Sequence, residues 1–95
     1  MLNEKAWTEI FEYAIPNIKV HGKTNQIIKA AEELNELEQE MLNALTGRTN
    51  REKIVEETAD VLVMLAQIKT MFNITSAELE DWAKYKIDRE KKKWG

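Results

Sequence analysis

The stretch from Ile54 to Ile68 sets the hardest constraint on this 95-residue chain. Stepped at about 100° per residue, Val55, Ala59, Val61, Leu62, Val63, Met64, Leu65, Ala66 and Ile68 leave almost no polar sector. A helix that is apolar nearly all round must be covered on more than one side. Yet Glu57 and Asp60 sit three apart within it, flanked by Ile54, Val61, Met64 and Ile68 on nearly the same face. Buried carboxylates are costly unless paired or metal-bound, and like charges at this spacing repel. A cation between them is the expected remedy.

The helical period holds elsewhere too. Three Gly and one Pro supply too little turn material for a many-stranded β fold, and no segment alternates as a strand would. A first helix is expected over about residues 3–14, with Trp7, Ile10, Phe11 and Ala14 as its apolar positions. Pro16 and Gly22 mark residues 15–23 as a connection carrying the lone His21. A second helix is expected from about Thr24 to Leu45, closed by Gly47. Thr49 with Glu52 forms a capping box for a third, which runs to about Phe72 and is closed by Asn73. Thr75 with Glu78 repeats the box for a fourth, ending near Lys92. The expected fold is all-α: one domain over residues 1–95, an antiparallel bundle of about four helices. A chain this short buries a thin core, so homo-oligomerisation is expected to complete it. Trp7, Phe11, Trp82, Tyr85, Met64 and Met71 are read as packing residues.

Net charge is only −3, but the charges are segregated. Nine acids fall in residues 32–60 against Arg48, Arg51 and Lys53, and six bases fall in residues 84–93 against Asp88 and Glu90. The acidic balance argues against a nucleic-acid partner. Without Cys there is neither a disulfide scaffold nor a thiolate metal site. The longest apolar run, Val61 to Ala66, is too short for a bilayer, and Met1 to Lys5 show no leader pattern, so no membrane partner and a cytoplasmic location are expected.

On the second helix Ile27, Ala30, Ala31, Leu34, Leu37, Met41 and Leu45 define an apolar face. Gln26, Lys29, Glu33, Glu36 and Glu40 form a stripe along its edge. Packed antiparallel on the third helix, this stripe lets Glu33 and Glu36 face Glu57 and Asp60. Four converging carboxylates suit a hard divalent ion, Mg²⁺ above all, with Mn²⁺ as the alternative. The competing reading leaves Glu32 to Glu40 solvated and pairs Glu57 and Asp60 with the basic tail. Gln26 and Lys29 lie within reach of a substrate at that site, or on solvated helix surface.

Glu33-Leu34-Asn35-Glu36, a gap of 20 residues, then Glu57-Thr58-Ala59-Asp60 resembles the ExxE…ExxD signature of the all-α nucleoside triphosphate pyrophosphohydrolases, the MazG-like branch above all. The surrounding strings 26–37 and 56–65 are similar to that branch, and Lys86-Ile87-Asp88-Arg89 resembles its basic motif; the likeness covers roughly residues 21–92. It implies cleavage of a nucleoside triphosphate between the α and β phosphates, giving a monophosphate and pyrophosphate, typically to remove unwanted nucleotides. It also implies an all-α dimer or tetramer, Mg²⁺ on Glu33, Glu36, Glu57 and Asp60, and phosphate contacts from Lys86 and Arg89. Glu36 is the candidate general base. Gln67 stands where longer members often have Asn, Met64 where related dCTP pyrophosphatases have Tyr, and Glu90 where some relatives have Asn. These departures bear on base selectivity. The phosphoribosyl-ATP pyrophosphohydrolases share the carboxylates but usually carry a His soon after Ala-Asp, and residues 61–66 have none. The alternative outside enzymes is a helical oligomerisation or adaptor module whose acidic stripe binds a basic partner.

Overall fold

A computed structural model describes residues 4–95, and the described residues are helical with no strand. Four helices follow one another: α1 (Glu4–His21), α2 (Lys23–Leu45), α3 (Arg51–Met71) and α4 (Ser76–Lys93). Residue 3, the expected start of the first helix, lies outside the described residues.

The first helix does not stop before Pro16. It continues through the proline to His21, so His21 ends a helix instead of standing on a loop. The expected connection over 15–23 shrinks to Gly22 alone. Gly22 has φ 87° and ψ 149°, a region open essentially only to glycine. Its N–H still donates to Ile18 and its C=O still accepts from Gln26, so the hydrogen-bonded ladders close on both sides of the break. Carrying the helix past Pro16 brings Asn17 into the interior, where its amide finds two partners from other helices.

The other ends show local chemistry. α2 closes at Gly47 (φ 69°), with the Arg48 N–H reaching back to Asn43. α3 closes in the same way at Asn73 (φ 52°), with the Ile74 N–H donating to Lys69. The expected Thr49–Glu52 box does not form. Asn50 caps α3 by accepting from the Lys53 N–H, because the Thr49 hydroxyl is taken by Glu40 of α2. The Thr75–Glu78 capping box at the start of α4 is present in both directions.

α2 and α3 pack along their lengths, and α1 lies mainly on α3. Moving from Gln26 to Glu33 and Glu36 on α2 meets Gln67, then Asp60 and Glu57, on α3, so the two run antiparallel. The interior is small: among the described residues the buried apolar side chains are Ala14, Ala30, Val61, Met64, Ala66 and Met71. Trp7 is half-buried and stacks on Phe11 at 5.9 Å.

Two expectations reverse. The inward face of α2 is the polar stripe: Gln26, Ala30 and Glu33 are buried, while Ile27, Leu34, Met41 and Leu45 of the apolar face are exposed. Nor does the fourth helix join the bundle. Among the described residues α4 makes no helix contact with α1, α2 or α3, has no buried residue, and leaves Trp82 and Tyr85 exposed. No described helix is long and apolar enough to cross a membrane.

Candidate metal centre

The antiparallel α2–α3 pair brings the four acids together. Glu33 and Glu36 lie one turn apart on α2, and Glu57 and Asp60 one turn apart on α3. One carboxylate oxygen from each lies within 4.8 Å of the other three. Glu33 and Glu57 are buried at 8% exposure each, Asp60 is half-buried and Glu36 is exposed.

This cluster is short of positive charge. Among the described residues its one ion pair is Lys29 Nζ to Glu33 Oε1 at 3.2 Å. Glu33 Oε2 and Glu57 Oε2 are buried with no hydrogen-bond partner. Burial pushes the Glu57 carboxyl above its usual range, and the nearby charges of Glu36, Asp60 and Glu33 add to it. Burial likewise raises Asp60, helped by the charge and close approach of Glu33, with Lys29 opposing. The Lys29 ammonium is held above its ordinary value by the hydrogen bond and charge of Glu33.

A divalent ion fits this arrangement. The donors are all carboxylate oxygens, the set hard cations prefer. Oxygens on opposite sides of an ion binding at about 2.0–2.6 Å stand about 4–5 Å apart, which is the span found here. The two orphaned buried oxygens are the groups such an ion would satisfy.

Beside the cluster lies a cavity of about 490 Å³. Glu33 and Asp60 border it at one end, with Lys29 and Gln26 from α2, Gln67 from α3, and Tyr13, Asn17 and His21 from α1. Its wall is a chain of amides. Asn17 Nδ2 donates to Gln26 Oε1 at 2.9 Å and to Gln67 Oε1 at 3.0 Å, while the Tyr13 hydroxyl donates to Asn17 Oδ1 at 3.0 Å. Gln67 is fully buried.

Gln26 is buried at the cavity wall, and Lys29 borders the cavity while remaining exposed. Lys86 and Arg89 do not join the site within one chain, because α4 touches none of the helices that build it. The competing pairing of Glu57 and Asp60 with the basic tail is absent among the described residues for the same reason. Tyr13 and Asn17 went unremarked in the sequence. Asn17 shows only once α1 is continued past Pro16, when it falls four residues from both Tyr13 and His21. Gln67 was legible, since it lies seven residues from Asp60 and so on the same face of α3. Comparison with protein-family models, curated proteins and solved structures finds no match for this chain.

Proposed function

We propose that this protein is a Mg²⁺-dependent nucleoside triphosphate pyrophosphohydrolase that cleaves between the α and β phosphates to yield a monophosphate and pyrophosphate. The observation that carries this reading is the junction of four clustered carboxylates, two with orphaned buried oxygens, with a polar cavity large enough for a small organic group. Glu33, Glu36, Glu57 and Asp60 are assigned to the ion, which when bound neutralises charge on the phosphates and makes water a better nucleophile. Glu36 is assigned as the base that takes the water's proton, because it is the member of the cluster exposed to solvent. The Asn17–Gln26–Gln67 wall holds the nucleoside end of the substrate. Lys29 stays with Glu33 and orients its carboxylate. Homo-oligomerisation and a cytoplasmic nucleotide-cleansing role belong to this reading.

The adaptor reading needs the acidic stripe to face solvent. Glu33, at the centre of that stripe, is buried instead, which counts against it. The test is a panel of ribo- and deoxyribonucleoside triphosphates with Mg²⁺, scored for pyrophosphate and monophosphate. Both products are expected, and both are lost in Glu57→Gln and Asp60→Asn proteins that remain folded. Release of single orthophosphate, or full activity in both variants, overturns the proposal.

A further inference from the structure

The cavity wall is one-sided in its hydrogen bonding. A side-chain amide carries N–H donors at one end and a carbonyl acceptor at the other, so what a ligand meets depends on which ends the wall uses internally. Here the acceptors are used. Gln26 Oε1 and Gln67 Oε1 both accept from the Asn17 amide, at 2.9 and 3.0 Å. Asn17 Oδ1 accepts from the Tyr13 hydroxyl at 3.0 Å. The count is self-consistent: the two hydrogens of one NH₂ group serve two carbonyl oxygens, and the hydroxyl serves the third.

What the wall leaves over is donors. Gln67 is fully buried and lines the cavity, and its Nε2 has no acceptor. Gln26 Nε2 has no acceptor among the described residues either. Lys29, on the same cavity, gives one ammonium hydrogen to Glu33 and keeps the others. Val63 and Met64 add apolar surface that suits a flat ring. A buried donor without an acceptor is unfavourable. A ligand that brings an acceptor relieves it, and one that brings a further donor does not. Nucleobases divide on this point. Uracil and hypoxanthine carry a carbonyl where cytosine and adenine, of nearly the same shape, carry an amino group.

We infer that the site selects bases with an exocyclic carbonyl over those with an exocyclic amino group, through Gln67 Nε2 and Gln26 Nε2. The products of cytosine and adenine deamination are then taken in preference to their parent nucleotides. Asn17 and Tyr13 are positioning residues: they set which end of each glutamine is left for the ligand. The inference rests on the pyrophosphohydrolase reading for the triphosphate, but the base preference is measured without turnover. Uridine against cytidine, and inosine against adenosine, are titrated at millimolar concentration into the nitrogen-15-labelled wild-type chain, following the side-chain NH₂ resonances of Gln26 and Gln67. Both resonances should move, and the keto member of each pair should bind at least about tenfold tighter. Equal affinity within the pairs, preference for an amino member, binding that leaves both resonances in place, or no binding by any of the four overturns the inference. Asn17→Asp reverses the polarity of the wall. Its carboxylate has no hydrogen to give, so both glutamines turn over, donate Nε2 to it and present Oε1 to the ligand. The keto-to-amino ratio should fall at least about tenfold, and an unchanged ratio in the folded variant overturns the assignment of donors. The wild-type ratio needs no variant and decides the matter should Asn17→Asp fail to fold. Keto preference in a chain that releases no pyrophosphate keeps the inference and discards the activity. Pyrophosphate released from UTP, CTP, ITP and ATP at equal kcat/KM does the reverse.

Discussion

Glu57 carries the most tension of any residue described. Its carboxyl is pushed up by burial and by its acidic neighbours, and Asp60 beside it is pushed up as well. Between the unfolded and folded pKa values, the folded chain holds more protons than the unfolded one. Stability therefore falls as pH rises through the raised values and returns on acidification. Without a divalent ion, the melting temperature should rise as pH falls from neutral toward the ordinary carboxylate range. With millimolar Mg²⁺ that gain should shrink, because ion and proton compete for the same oxygens. Glu57→Gln removes one of the repelling charges. The variant should melt higher than the wild type when ion-free and lose the Mg²⁺-induced shift, with activity down at least about a hundredfold. A wild-type melt flat in both pH and Mg²⁺ would refute the assignment. Asn17 makes a different claim. Truncating it to Ala orphans two buried amide oxygens, at a cost of roughly 1–3 kcal/mol by urea unfolding, while the Mg²⁺ shift survives. The carboxylate quartet was legible because two i,i+3 pairs on facing helices can meet in few ways. Asn17 was not, because its place depends on a helix that runs through a proline.

Gly22 is the element-scale counterpart. A one-residue break leaves α1 and α2 no loop in which to spread a change of direction, so the whole turn falls on two torsion angles. No atom lies within 4 Å of where a Cβ would stand there, so a side chain would meet backbone strain and no clash. Gly22→Ala should cost about 1–3 kcal/mol in equilibrium unfolding. A neutral result would mean that the helices meet differently. The helix ends marked by Gly47, Asn73 and the Thr75 box could be read from the sequence, since each follows from one residue's local chemistry. Which face of α2 turns inward could not. Apolar periodicity reports burial without saying against what, and here Ile27, Leu34 and Met41 are bare in the single chain.

At the scale of the whole molecule, the six buried apolar side chains among the described residues include three alanines, a meagre interior for α1 to α3 and none for α4. An isolated helix of 18 residues is marginal in water. Amide exchange over 76–93 should therefore be fast in dilute protein and slow markedly as concentration rises, while the amides of α2 and α3 facing each other change less. Equal protection of α4 at all concentrations would contradict a helix that depends on association. All-α character followed from composition and period, but the detached fourth helix did not. Short connections predict neighbours, yet after the 72–75 segment α4 makes no contact with α1, α2 or α3 among the described residues.

One wall of the cavity comes from α1 alone, through Tyr13, Asn17 and His21, whereas the clustered carboxylate oxygens come only from α2 and α3. Part of the cavity wall thus sits on a piece of chain that carries none of the clustered acids and is joined to α2 by a single glycine, while Gln26 and Gln67 share α2 and α3 with them. A combinatorial library confined to positions 13, 17 and 21 should retune which nucleobase is accepted, at some expense in stability at 17, and leave metal affinity untouched.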